Sequence, residues 1–171
     1  LNTAARVVCE TALSPEKIDT AAHELGWPMG PFFLMDQVGL DVGKEVAEVL
    51  YKGYGERMRP SPLLNMLVEK GRIGAKGKIG FYEYGAEGED INALLNGAFP
   101  GRVPGNAQEA VKKMMNALAE EALRCAYEKI ASEEDIEIGC AKGIGYPDGM
   151  GGPLGWAKQE GLDLAFHVHD S

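Results

Sequence analysis

The chain has 171 residues, 45% of them hydrophobic and 25% charged, enough for one ordinary domain or two small ones sharing a core. Its 17 Lys+Arg and 26 Asp+Glu give a formal net charge of −9, which sets nucleic acid and anionic membranes aside as partners. No apolar run approaches the roughly 20 residues of a membrane span, and residues 1–13 carry no basic region followed by an apolar block. Neither a membrane span nor a signal peptide is therefore expected. Cys9, Cys125 and Cys140 are odd in number and form no CxxC pair. They read as reduced thiols of a cytoplasmic protein.

The first predicted helix starts at Leu1 and is short, as though it begins partway through. Ser14 is a good N-cap and Pro15 suits the first helical position, so a helix is predicted over 14–25 with Gly26 as its stop. Pro28 forbids its continuation. Gly30-Pro31 opens a short helix over 32–38, ended by Gly39. Asp41 is expected to cap the next helix, whose Val42, Val46, Val49 and Leu50 fall at helical spacing. Ser61-Pro62 starts another over 63–70, with Gly71 as its stop. Residues 79–84 (IGFYEY) are the best strand candidate, too isolated to build a sheet. Residues 85–105, rich in Gly, Asn and Pro, read as a linker with a short helix over 90–95. A long helix over 106–130 follows, with the stripe Val111, Met115, Leu118, Ala122, Cys125 and Ala126.

The chain also repeats itself. Ser14-Pro-Glu-Lys-Ile18 is matched by Ser132-Glu-Glu-Asp-Ile136, and Ala4, Arg6 and Glu10 by Ala122, Arg124 and Glu128. Gly26-Trp-Pro28 is echoed by Gly145-Tyr-Pro147, Gly30-Pro31 by Gly152-Pro153, and Gly39-Leu-Asp41 by Gly161-Leu-Asp163. So many ordered matches point to a duplicated, pseudo-symmetric pair. Copies over 1–98 (with its linker) and 99–171 are expected.

The stretch from Gly26 through Gly30-Pro-Phe-Phe-Leu-Met-Asp36 to Gly39-Leu-Asp41 resembles the signature of the 3-hydroxyacyl-CoA dehydrogenase C-terminal domain. Residues 74–84 resemble the Gly- and Lys-containing segment that follows it. Residues 121–125 and 143–153 resemble the second copy found in multifunctional fatty-acid oxidation enzymes. The resemblance covers almost the whole chain. It implies an all-α fold of two pseudo-symmetric helical repeats, like the 6-phosphogluconate-dehydrogenase C-terminal domain. It further implies an intact enzyme of fatty-acid β-oxidation in which an N-terminal Rossmann domain holds NAD and a His–Glu pair. There the histidine accepts the proton of the 3-hydroxyl of an acyl-CoA while hydride leaves for NAD. The second copy resembles the partner that a single-copy relative finds in a dimer.

These residues hold no strand–GxGxxG–helix unit, so no cofactor-binding residue is expected here. The active-site asparagine of the family is expected about six positions ahead of Leu1, judged by helix spacing. His23, His167 and His169 fall in no catalytic motif of the family, so no catalytic residue is expected either. Asn2-Thr3-Ala4 and Glu120-Glu121-Ala122 depart from the family's Asn-Glu-Ala, and the lysine–glycine order differs at Gly77-Lys78.

Pro28, Met29, Phe32 and Leu34 are candidates for the acyl-chain wall, against the plainer reading of a packed helical corner. Residues 74–80 read as a turn that sets Phe81 and Tyr82 into the core, with Lys76 a candidate contact for a CoA phosphate. The Gly-x-Gly of 143–145 lacks a preceding strand and carries Pro147, which argues against a dinucleotide site. His167 and His169 lack further ligands for a metal. The competing function is a non-catalytic oligomerisation or interaction module.

Overall fold

The computed structural model describes residues 1–162; Asp163, His167 and His169 lie outside the described residues. The described chain is helical, with no strand longer than an isolated bridge. The helices are α1 (Asn2–Glu10), α2 (Pro15–Glu24), α3 (Pro31–Val38), α4 (Leu40–Tyr54), α5 (Pro62–Glu69), α6 (Ile91–Ala98), α7 (Ala107–Tyr127), α8 (Glu133–Gly143) and α9 (Gly152–Glu160). Among the described residues no helix is long and apolar enough to cross a membrane.

Predicted starts match their caps. The Ser14 side chain accepts the Lys17 N–H at 3.3 Å, Ser61 that of Leu63 at 3.3 Å, Asn106 that of Glu109 at 3.0 Å and Ser132 that of Asp135 at 3.1 Å. The long helix ends at Tyr127, short of 130, because Lys129 turns left-handed (φ 56). Asp41 does not cap α4. Gly39 holds the cap position, and Asp41 lies in the first turn, ion-paired to Lys76. The IGFYEY stretch makes only bridges of Ile79 with Gly74 and Glu83.

The segment 85–105 is more than a linker. Asp90 caps α6 through the Ala93 N–H, and Leu94 and Leu95 enter the core. Arg102 then donates to the carbonyls of Thr11 and Leu13, while Ala12 donates to the Val103 carbonyl and Val103 to that of Glu10 around the end of α1. One apolar cluster results, from Ala4, Ala5, Val7 and Val8 of α1 through Ile18 and Ala22 of α2 to Ala110, Val111 and Met115 of α7. Both copies thus bury their apolar faces against each other. The small alanines let α7 approach α1 closely.

The copies repeat one tertiary device. On α2, Asp19 caps α3 by accepting the N–H groups of Phe32 (2.9 Å) and Phe33 (2.8 Å). On α8, Glu137 caps α9 by accepting the Leu154 N–H at 3.0 Å. The two Gly-x-Pro turns also meet. Trp27 packs edge-on to Tyr146, with ring centroids 5.2 Å apart. A Cβ on Gly26 would sit 3.3 Å from Pro147, and one on Gly145 2.7 Å from Pro28. Each copy therefore presents its glycine to the other's proline.

Asp19 also accepts the Tyr82 hydroxyl at 2.7 Å, whereas Glu137 has a single backbone donor. Asp19→Ala is expected to lower stability by about 2–3 kcal/mol and Glu137→Ala by about 1 kcal/mol. Urea denaturation of the two variants checks the order; equal losses count against a stronger cap in the first copy.

Candidate functional site

The sequence departs most from a plain helical bundle at the corner of α3 and the turn 72–84. Phe32 is fully buried and packs edge-on to Phe81, centroid to centroid 4.7 Å. Asp36, one helical turn further on, is buried as well. Its carboxylate accepts the Phe81 and Tyr82 N–H groups, each at 2.9 Å. A Cβ on Gly80 would fall 2.1 Å from an Asp36 oxygen, so only glycine lets the turn close on the carboxylate. Arg72, also buried, donates to the carbonyls of Gly80 (2.8 Å) and Glu89 (2.9 Å). The turn therefore sets Phe81 into the core, as the sequence suggests, while Tyr82 is half-buried and reaches Asp19.

Burial pushes the Asp36 and Asp19 carboxyls above the usual carboxylate range, although the backbone N–H bonds oppose it. Burial and the Asp19 carboxylate hold the Tyr82 hydroxyl far above an ordinary phenol. Burial also raises the Cys9 and Cys140 thiols, which makes them poor nucleophiles. All three cysteines are free and half-buried.

The five candidate residues separate. Phe32 is core. Leu34 is half-buried. Pro28 is exposed and abuts the Gly145 turn of the second copy. Met29 stays 40% exposed. Lys76 lies beyond the other end of α3, paired to Asp41 at 2.7 Å, and that lysine holds the Asp41 carboxyl below its ordinary value. None of the five lines either of two open concavities. One, of about 410 Å³, lies between α1 and the segment ahead of α5, with Arg6, Cys9, Arg59 and Ser61 in its wall. The other, of about 440 Å³, lies at the α7–α8 corner around Ile130 and Ser132.

Four residues that matter escaped the sequence reading. Phe33, not Phe32, turns outward from α3 (40% exposed). A strict count of helical period from the buried Met35 would have found it. Asp36 had a signal, a lone charge inside the apolar run Phe32–Val38. Asp19 had none, because it sits a whole loop away from the helix it caps. Asn2 joins α1 to α5, donating to the Arg59 carbonyl and accepting the Ser61 N–H, both at 2.8 Å.

A dinucleotide needs glycine-lined N–H groups left open for its phosphates. The glycine turns here are filled by the chain's own carboxylates: Asp36 at Gly80, Asp19 at the start of α3 and Glu137 at the start of α9. A Cβ on Gly152 would overlap the Glu137 carboxylate. Among the described residues these three positions already hold carboxylates and do not offer open N–H groups to the phosphates of NAD.

Among the described residues the fold is all-helical, with carboxylates seated at Gly80 and at the starts of α3 and α9. Residues 1–84 and 110–171 match the model of the 3-hydroxyacyl-CoA dehydrogenase C-terminal domain, and the chain belongs to that family. It is 34% identical over 160 residues to the fatty acid oxidation complex subunit alpha of Acinetobacter baylyi, covering 86% of this chain and 22% of that protein. For the same subunit of Shewanella baltica the identity is 35%, over 90% of this chain and 22% of the relative. The chain thus spans about a fifth of the length of these curated relatives. Its fold is similar to that of 3-hydroxybutyryl-CoA dehydrogenase from Escherichia coli, with a TM-score of 0.70 at 22% identity, over 92% of this chain and 50% of that one. It is also similar to the dehydrogenase part of multifunctional enzyme 1 from C. elegans, with a TM-score of 0.60 at 22% identity, over 98% and 43%.

Proposed function

We propose that this chain is the substrate-side helical portion of an NAD-dependent 3-hydroxyacyl-CoA dehydrogenase of fatty-acid β-oxidation. The intact enzyme transfers hydride from the 3-hydroxyl of an acyl-CoA to NAD. The cofactor and the proton-accepting group belong to a Rossmann domain of the same polypeptide, in the cytoplasm. The copies divide at 98/99, and the second stands where a dimer partner would.

The observation that carries this reading is the outward face of α3. Phe33 on α3 and Met29 in the proline turn ahead of it are each 40% exposed, and we take them as an apolar ledge. The helix below it is fixed by Asp19 at its start and by the buried Phe32 and Asp36. A rigid apolar ledge with its polar groups already satisfied suits an acyl chain, because it desolvates the chain without reorganising. What these residues do is bind and orient the acyl part and exclude water from it.

The test compares two proteins, the intact gene product and this 171-residue chain. The intact protein is expected to oxidise NADH with acetoacetyl-CoA. The chain alone is expected to show no turnover and no quenching of NADH fluorescence, while keeping near-UV circular dichroism. Turnover or NADH binding by the isolated chain would falsify the assignment of the nucleotide to another domain. An intact protein without turnover would favour the interaction-module reading.

A further inference from the structure

We propose that the outward face of α4 is a self-association surface, on which a second copy of this chain lays its own α4 antiparallel. The contact depends on α4 itself and is independent of the chemistry proposed above. Of the 15 residues of α4, only Leu40 is buried. Val42, Val46, Val49 and Gly53 recur at intervals of four, three and four, the spacing of a helix-pairing seam. The three valines are 38%, 52% and 68% exposed, and Leu50 beside them is 37% exposed. A continuous aliphatic face of this kind, rimmed by charge, marks an interaction surface.

Charge chooses the occupant. Glu45 and Lys52 are both exposed and lie two turns apart on one flank of the seam. Lys44 and Glu48 pair with each other at 3.7 Å. Among the described residues neither Glu45 nor Lys52 has an ion partner, although their charges are opposite and fall either side of the middle of the seam. A two-fold axis at that point requires this arrangement. Two α4 helices set antiparallel bring the same flank of each side by side, so Glu45 of one copy meets Lys52 of the other, and symmetry makes the pair twice. Within the seam Val46 meets Val49. Val42 meets Gly53, where nothing lies within 4 Å of an added Cβ and the partner's valine has room. Parallel helices would instead set Glu45 against the apolar flank at Leu50 and leave both charges unpaired.

This face is separate from the contact between the two copies inside the chain, where the Gly26 and Gly145 turns meet. α4 packs on α3, α5 and residues 55–58, all of the first copy. A single helix pair about 22 Å long makes a small interface, so the association is weak and depends on concentration.

Sedimentation velocity over a concentration series, on this chain and on the full-length gene product, tests the contact. Reversible dimers are expected in both. Glu45→Lys sets lysine against lysine at both pairs, and Lys52→Glu sets glutamate against glutamate. Each is expected to raise Kd about tenfold. The double variant Glu45→Lys/Lys52→Glu restores the pairs with their signs exchanged, and its Kd is expected within about threefold of the unsubstituted protein. Val46→Asp/Val49→Asp is expected to abolish dimers while near-UV circular dichroism is kept, because both side chains are exposed.

A protein that stays monomeric at the highest attainable concentration overturns the proposal. So does a dimer indifferent to the single charge reversals, or a double variant no better than either single one. Dimers of this chain that are absent from the full-length protein overturn it as well, since another part of the polypeptide then covers α4.

Discussion

Phe32→Ala is expected to lower stability by about 3–5 kcal/mol, the usual loss for a buried phenylalanine. The side chain is 0% exposed and its edge-on partner Phe81 is 2% exposed, so truncation leaves a cavity between two fixed elements. Little collapse is available, because Asp19 pins the start of α3 and Asp36 pins its last turn to residues 81 and 82. The urea midpoint should fall with an unchanged slope. Phe33→Ala, one residue along, should behave in the opposite way. It leaves stability within about 0.5 kcal/mol, as exposed substitutions do. On the proposed function, it is expected to raise the full-length protein's KM for an acyl-CoA about five- to tenfold, from roughly 1–1.5 kcal/mol of lost apolar contact. A Phe33→Ala enzyme with normal KM and a Phe32→Ala enzyme with normal stability would reverse the assignment of core and ledge.

Asp36→Ala should lose about 3 kcal/mol near neutral pH. Two backbone N–H groups, those of Phe81 and Tyr82, lose their acceptor inside the fold, at about 1–3 kcal/mol each, partly offset because a costly buried carboxylate is also removed. Asn should rescue only part, since one amide oxygen replaces two carboxylate oxygens and the amide nitrogen faces an N–H. The pH dependence follows from the raised pKa of Asp36. A carboxyl whose folded pKa lies above its unfolded value stabilises the fold most fully below the unfolded value of about 4, and that contribution fades as pH rises through the folded pKa. The gap between wild type and Asp36→Ala should therefore widen as pH falls from 7 towards 4. A gap that narrows on acidification would show that hydrogen bonding outweighs desolvation and that the carboxyl titrates low.

The half-buried Asp19 and the buried Asp36 also explain why the α3 corner is more than a helical turn. Both carboxylates take their hydrogen bonds from backbone far along the chain, and Tyr82 touches both features, donating to Asp19 by its hydroxyl and to Asp36 by its N–H. Together they tie α2, α3 and the turn 80–82 into one block. The exposed Phe33 stands on that block, and α4 leaves from it.

Much of this was legible in the residues because it is local. Ser14, Ser61, Asn106 and Ser132 announce helix starts since a cap acts within three residues. Pro15, Pro31, Pro62 and Pro153 mark first turns, where a missing N–H does no harm. The internal repeat and the family were likewise in the sequence, because both are matters of order along the chain. Which of two adjacent phenylalanines faces inward was not settled by composition. That depends on where α2 and the 80–82 turn press on α3. Asp41 shows the same point, since its choice between a cap and the Lys76 ion pair is made by a loop 35 residues away that no local pattern reveals. The sequence read the 74–80 turn as a core-setting turn, and only the fold put Asp19, Asp36 and Glu137 at the glycine turns and helix starts they fill. The sequence determined helices, repeat and family; tertiary structure decided which side chains are core, which are surface and which anion-seeking sites are already filled, because burial and long-range hydrogen bonds exist only once distant segments meet.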